Sequence, residues 1–292
     1  MSDAAVPELP EVETVRRGIE SLVVGRRISS VTVGRERSVR RVGREAVIHG
    51  LTGTTVTTAG RRGKYLICYL ESGDRMMIHL RMSGRVLIHP PDHPRPPHTH
   101  VVLTLEPDSR EARRSVTHEF RFVDPRTFGE VVVYDPIDER DVLPELGRLG
   151  VDPLVDHFDD DVVWRLLHPR RRAIKALLLD QHVIAGIGNI YADEILHRAG
   201  IKWDRLASSL SRERVSRLRQ SVTSVLNEAV AAGGSTLQDT QYVDVEGETG
   251  WFQLDHRAYG RGGLPCLTCG KTTITRVVTN GRSTCFCRIC QR

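Results

Sequence analysis

Four cysteines near the C-terminus form two knuckles, Cys266-x2-Cys269 and Cys287-x2-Cys290. Each short turn offers two thiolates, and two turns about twenty residues apart supply the four soft ligands of a tetrahedral zinc site. Four thiolates leave no position for water, so one structural zinc ion is expected. Its binding, on the order of 10 kcal/mol, would hold a small ribbon folded. Cys285 precedes Cys287 by two positions and competes as a ligand, although Cys287 and Cys290 make the better pair. From His256 to Arg292 there is no Asp or Glu, while Arg257, Arg261, Lys271, Arg276, Arg282, Arg288 and Arg292 are basic. A metal tip with only positive side chains suits a polyanion, and nucleic acid is the commonest one.

The rest of the chain agrees. Formal net charge is +5, and nine arginines lie between Arg16 and Arg44, enough for a basic face that touches phosphates. No apolar run reaches the length of about 18 residues that a membrane span needs. The N-terminus lacks a basic stretch followed by an apolar one, so no secretory signal is expected. Cysteines clustered in a metal pattern, with Cys68 alone in an apolar run, predict a reducing cytoplasm rather than a disulfide framework.

These groups need elements to hold them. Pro10 suits a first helical turn, where its missing N–H costs nothing. Val12, Val15, Ile19, Leu22 and Val23 recur at helical spacing until Gly25. Glu11 and Glu13 fall in the first turn, where the helix dipole favours acids, which explains them without chemistry but leaves Glu8 unexplained. β-Branched runs follow at 28–33, 65–70, 77–80, 85–88, 100–105 and 130–134, broken by turn residues as in an antiparallel sandwich. Five prolines in 89–97 make that stretch a loop. From about Asp152 the pattern turns helical. Trp164–Leu179 carries apolar residues at helical spacing and a basic patch at Arg170–Arg172. A glycine-broken turn, Gly186-Ile-Gly-Asn189, leads into Ile190–Ala199, which Gly200 stops. Ser211 can N-cap a long helix that ends at Gly233-Gly234. The fold class is therefore α+β: an N-terminal antiparallel β-sandwich with flanking helices over 1–150, a helical domain over 151–255 and a zinc ribbon over 256–292.

The N-terminal string Pro7-Glu8-Leu9-Pro10-Glu11-Val12-Glu13-Thr14-Val15-Arg16-Arg17 resembles the formamidopyrimidine-DNA glycosylases, bifunctional base-excision enzymes for oxidised purines. The resemblance runs from Pro7 to the C-terminus, with motifs in family order. It implies a monomer that removes 8-oxoguanine and formamidopyrimidines from double-stranded DNA and then cleaves the strand. Pro7 would be the nucleophile. Its secondary amine attacks the sugar C1′, expels the base and leaves an iminium, which acidifies the C2′ proton and permits β,δ-elimination. Glu8 would help open the deoxyribose ring and shuttle protons, and Glu11 would lie in the same pocket. Lys64, in Arg61-Arg62-Gly63-Lys64-Tyr65-Leu66, would sit near the damaged nucleotide and help keep a neighbouring amine unprotonated.

An enzyme that acts on a base takes it out of the stack, and something must fill the hole. By resemblance Met82, in His79-Leu-Arg-Met82-Ser-Gly84, and Arg126 and Phe128, in Asp124-Pro-Arg126-Thr-Phe128-Gly129, fill it. Arg126 would also pair with the orphaned cytosine. His98 belongs with these DNA-facing residues, though His98-Thr99-His100 has Thr where the family usually has Asp. Both histidines suit local hydrogen bonds better than a metal. The string from Gln181 to Glu194 resembles the family's helix–two-turn–helix, whose glycines and helix-start N–H groups would hold a phosphate, with Asn189 and Lys175 assisting. Arg282 matches the finger arginine that grips phosphates beside the lesion. Gly233–Leu237 and the loop up to Trp251-Phe252 resemble the loop that closes over the extruded base.

One departure matters. Pro7 follows Met1–Val6, and in that form its nitrogen is a tertiary amide without a basic lone pair. Translation from position 6, whose valine codon GTG also serves as a bacterial start, would yield an N-terminal Pro7 once the initiator methionine is removed. Protease trimming would do the same. Without either, the chain would be a catalytically silent lesion binder. An endonuclease VIII-type glycosylase for oxidised pyrimidines is the other alternative. Leu9, where that type usually has glycine, and the Arg126 string both argue against it.

Overall fold

The computed structural model describes residues 6–108, 114–237, 242–279 and 281–292. The chain divides into two compact units. One comprises Glu11–Arg148 and Ser235–Gly250. The other comprises the residues up to Pro10, Leu149–Gly234 and Trp251–Arg292.

Helix α1 (Leu9–Leu22) forms where its apolar spacing predicts, with Pro10 in the first turn. Strand β1 (Ile28–Val33) and helix α2 (Arg44–Leu51) follow. Then come β2 (Val56–Arg62), β3 (Tyr65–Leu70), β4 (Arg75–His79) and β5 (Arg85–His89). Strands β6 (Thr99–Leu105), β7 (His118–Val123) and β8 (Glu130–Tyr134) and the short helix α3 (Glu139–Val142) complete the run. The strands make two four-stranded antiparallel sheets, ordered β1-β6-β7-β5 and β2-β3-β4-β8. Alternate residues point inward, as the two-residue period of a strand requires. Val86, Leu103, Phe120 and Phe122 of one sheet share a core with Leu66, Ile78 and Val131 of the other, and with Val12, Val15 and Ile19 of α1. Tyr242 and Val245 join the same core.

Strands β2 and β7 and helix α2 are additions to the sequence reading. Every residue of β7 is buried, including Glu119 and Arg121, so it has no alternation to detect. The Arg121 guanidinium pairs with Glu119 and donates to the carbonyls of Pro90, His93 and Pro94, which ties down the proline-rich loop.

In the other unit, the stretch expected as one helix over Trp164–Leu179 is two, α4 (Asp160–Leu167) and α5 (Ile174–Leu178). Pro169 lies between them; it has no N–H to continue the ladder and its ring clashes with the preceding turn. Helix α6 (Asn189–Ala199) ends at Gly200 in the left-handed conformation, φ 68°. Ser211 caps α7 (Arg212–Ala231) by accepting the Arg214 N–H, as predicted. Strands β9 (Thr275–Thr279) and β10 (Arg282–Phe286) form the antiparallel hairpin of the cysteine tip. Among the described residues, no helix is long and apolar enough to cross a membrane.

Candidate functional site

Glu8 has a built cradle. Its side chain is 2 % exposed and accepts the N–H of Gly188 at 2.6 Å and of Ile190 at 2.8 Å, with that of Tyr191 at 3.4 Å. These are the first N–H groups of α6, at the positive end of its dipole. The glycine turn expected to hold a phosphate therefore holds the protein's own carboxylate. Gln181 shapes that turn, accepting the Gly186 N–H at 2.8 Å and donating to the Ile187 carbonyl at 2.8 Å. The Leu9 N–H donates to the Gly186 carbonyl at 3.0 Å, so the backbone next to Glu8 is tied to the same turn. Pro7 is buried. A Cβ on Gly188 would lie 2.3 Å from Glu8 Cδ, so no other residue fits there without displacing the carboxylate.

Lys175, expected to assist at a phosphate, is buried. It is 4 % exposed, donates to the Ser283 carbonyl and Thr284 hydroxyl, and lies 2.7 Å from Asp193 Oδ1. The ammonium thus makes two hydrogen bonds to β10 and one ion pair to α6. Asp193 also accepts the Cys285 N–H at 2.8 Å. Burial pushes its carboxyl up to about 6 against the pull of Lys175. Asn189 donates to the Ser283 carbonyl at 3.1 Å, while its Oδ1 is buried with no hydrogen-bond partner. Arg282 is exposed and, with Arg172, Lys175, Trp203 and Thr284, lines a cavity of about 280 Å³. Arg172 pairs with Asp180, also in the lining, at 2.8 Å, so the outward positive charge comes from Arg282.

The Sγ atoms of Cys266, Cys269, Cys287 and Cys290 lie within 4.8 Å of one another. Cys266 and Cys290 are 3.9 Å apart, and Cys269 and Cys287 3.8 Å. A tetrahedron with Zn–S bonds of ~2.3 Å has edges of ~3.8 Å, so these four thiols fit a metal of that size. Cys285 lies outside this set, which removes it as a competing ligand. The tip is fastened along α6. Glu194 accepts the N–H groups of Arg257, Ala258 and Tyr259, and His197 Nε2 lies 2.8 Å from Thr268 Oγ1.

In the sandwich unit, Glu11 is 1 % exposed and accepts the Ser235 N–H at 2.7 Å, while Tyr242 donates to the Glu11 carbonyl at 3.3 Å. The loop expected to close over a base thus begins anchored to Glu11; residues 238–241 of it lie outside the described residues. Lys64 is half-buried in the two-residue turn joining β2 to β3, where Gly63 takes the positive φ of 56° that such a turn needs. Arg61 braces the turn by donating to the Gly63 carbonyl and pairing with Glu13. Burial, with the charges of Arg81 and Lys64, holds the His79 imidazole well below its ordinary pKa, and its Nδ1 accepts the Arg81 N–H at 3.0 Å.

Arg126 and Phe128 are exposed on one loop, with the guanidinium carbon 5.2 Å from the ring centroid. Met82 is half-buried on a second loop, and His98 is exposed on a third. His100 Nε2 lies 2.9 Å from the Asp124 carbonyl. Arg81, His98 and Thr127 have φ of 55°, 65° and 55°, the positive values among described non-glycine residues. Each costs on the order of 1 kcal/mol, and such strain concentrates where a protein acts.

Residues 6–131 match the family model of the formamidopyrimidine-DNA glycosylase N-terminal domain, and residues 149–241 that of the formamidopyrimidine-DNA glycosylase H2TH domain. The formamidopyrimidine-DNA glycosylase of Desulfitobacterium hafniense is 42 % identical over 286 residues, covering 98 % of this chain and all of the relative. The chain belongs to the formamidopyrimidine-DNA glycosylase family. Its fold agrees with the MutM (Fpg) protein of Thermus thermophilus, at TM-score 0.83 and 40 % identity over 98 % of both chains. The Lactococcus lactis Fpg in complex with abasic-site DNA superposes at TM-score 0.85 and 33 % identity, over 98 % of this chain and 99 % of that one.

Within this family frame, Glu8, Asn189 and Lys175 fall around the start of α6 and β10, and Met82, His98, Arg126 and Phe128 fall on three loops of the sandwich. Sequence reading had not singled out Gln181, Asp193 or Glu194, although all three lie inside the helix–two-turn–helix string. Gln181 bonds within its own turn, whereas Asp193 and Glu194 depend on main-chain partners 63 to 92 positions away, which no spacing announces.

Proposed function

We propose that the protein is a base-excision glycosylase with abasic-site lyase activity, acting as a monomer on duplex DNA that contains 8-oxoguanine or formamidopyrimidines. The observation that carries this reading is the Glu8 cradle. A carboxylate beside Pro7 is fixed by the N-terminus of α6 at 2.6 and 2.8 Å, a rigid support for chemistry at the adjacent nitrogen. In this reading the Pro7 nitrogen must be a secondary amine, so the active form begins at Pro7. The family match beginning at residue 6 supports that start.

The steps follow from the amine. Its lone pair forms a bond to C1′ as the C1′–base bond breaks, and the base leaves with the electron pair and takes a proton. Glu8 moves the protons that ring opening requires. The resulting iminium draws electrons from the C2′–H bond, the 3′-phosphate leaves, and a second elimination releases the 5′-phosphate. Lys64 contributes positive charge near the reacting nucleotide. Met82, Arg126 and Phe128 fill the vacated stack and read the opposite base. Arg282 grips flanking phosphates.

Zinc is the metal these four thiolates favour, held by Cys266, Cys269, Cys287 and Cys290. It supplies folding of the tip and no step of the reaction. Reduced thiolates suit a cytoplasmic location. The three-domain reading, 1–150, 151–255 and 256–292, serves as a functional division: chemistry and wedge, DNA-binding helices, metal tip.

Borohydride trapping on an 8-oxoguanine duplex, with the mass of the protein's N-terminus determined in parallel, tests the proposal. A Pro7-terminal protein that cross-links supports it. A Pro7-terminal protein that binds the lesion and does not cross-link refutes the lyase chemistry and leaves a damage reader.

A further inference from the structure

We propose that Asp124 is the positioning residue of the wedge, holding the loops of Met82, Arg126–Phe128 and His98 in working shape before DNA arrives. The proposal rests on the glycosylase reading above. Asp124 is fully buried, at 0 % exposure. Its Oδ1 accepts the Ser83 hydroxyl at 2.5 Å and the Arg126 N–H at 3.2 Å. Its Oδ2 accepts the Gly129 N–H at 2.7 Å. Its own N–H donates to the His98 carbonyl at 3.0 Å, and its carbonyl lies 2.9 Å from His100 Nε2. One residue thus bonds to all three loops, touching Ser83 beside Met82, the two ends of the Arg126–Gly129 turn, and His98 itself.

Strain falls on the same loops. Arg81, His98 and Thr127, whose φ values are positive, each lie on a loop that Asp124 ties. A side chain in that region relaxes unless its surroundings over-determine it. The carboxylate and its donors supply that constraint. Glycines make room for it: a Cβ on Gly129 would lie 3.1 Å from Asp124 Oδ2 and 2.7 Å from the Phe122 ring, and one on Gly84 would lie 2.5 Å from the Leu80 carbonyl. The exposed tips can then stay polar and apolar as DNA requires, because their shape is set from beneath.

Substituting Asp124→Asn in the full-length protein tests this, with Ser83→Ala as the milder companion. Binding is measured to a duplex with a tetrahydrofuran abasic-site analogue opposite cytosine, to the same duplex opposite adenine, and to undamaged duplex, alongside circular-dichroism melting. Asp124→Asn is expected to leave the undamaged-duplex Kd within about twofold, because phosphate contacts dominate it. It should weaken binding to the abasic-site analogue about tenfold or more and flatten the cytosine-over-adenine preference. Ser83→Ala should move both in the same direction by a smaller factor.

A folded Asp124→Asn protein with unchanged affinity and preference overturns the assignment. Equal loss on all three duplexes does so too, since general destabilisation would give that result. If Asp124→Asn does not fold, an unchanged preference in Ser83→Ala overturns it alone. A wild-type protein that does not distinguish the abasic-site analogue from undamaged DNA would overturn the glycosylase reading instead, and this assignment with it.

Discussion

Replacing Gly188 with alanine would put a methyl group inside the Glu8 carboxylate. The backbone tolerates the change, because Gly188 has φ −126° and ψ −159°. The space does not: the new Cβ would lie 2.3 Å from Cδ and 2.4 Å from Oε1. Ordinary contact needs about 3.5 Å, so the carboxylate must retreat by more than ~1 Å. Bonds of 2.6 and 2.8 Å then stretch past the ~3.2 Å at which they cease to count. Each bond to a charged group contributes ~1.5–3 kcal/mol, so losing both costs about 3–6 kcal/mol. At ~2–4 °C per kcal/mol the Tm should fall by roughly 10 °C. Displacing the support of Pro7 by an ångström should also slow excision about a hundredfold. A double-mutant cycle with Glu8→Ala separates this mechanism from generic damage. With the carboxylate gone the methyl has room, and Gly188→Ala should then cost less than about 1 kcal/mol. An equal cost in both backgrounds would refute the cradle argument.

Asp193→Asn isolates a pH effect. The folded carboxyl titrates near 6, above its ordinary 3.8, so its stabilising contribution is complete below about pH 4 and is lost as pH rises through 6. Urea unfolding of wild type and variant should therefore show a stability difference that shifts by about 3 kcal/mol between pH 4 and pH 7, against the wild type at the higher pH. Lys175→Met leaves that carboxylate buried without its cation and should cost roughly 3–5 kcal/mol at neutral pH, read by the same assay. Chelation, or Cys287→Ser, should remove one equivalent of zinc by elemental analysis and lower the melting temperature, whereas Cys285→Ser should retain the metal. Arg282→Ala should weaken binding to any duplex and reduce the salt slope of log K by about one.

The elements were legible where a single periodicity ruled. Helix α1, helix α7 with its Ser211 cap and the strands with clean β-branched runs could be placed from the sequence. Strand β7 could not, because Glu119 and Arg121 are buried in it and solvate one another. The α4–α5 break was written in Pro169 but hidden by apolar residues that match helical spacing on both sides. At the site, the cysteine knuckles were readable because short turns and ligand chemistry fix their spacing. The Glu8 cradle was not, since its donors lie 180 and 182 positions away and belong to the main chain. Lys175 was named from the resemblance as a charge near a phosphate, and its contacts with Ser283, Thr284 and Asp193 are visible only in the packing, because their partners lie 18 to 109 positions away.

Helix α6 fixes a length. Glu8 is bound at its first turn, Asp193 and Glu194 reach the hairpin and the cysteine tip from its middle, and His197 meets Thr268 near its end. Nine of its eleven residues are buried. Adding one residue inside it would turn everything downstream by about 100° and advance it ~1.5 Å. The support of Glu8 and the cysteine tip would then fall out of phase with each other. Insertions and deletions that distinguish one family member from another must therefore accumulate elsewhere, while this helix acts as a ruler whose divisions cannot be moved.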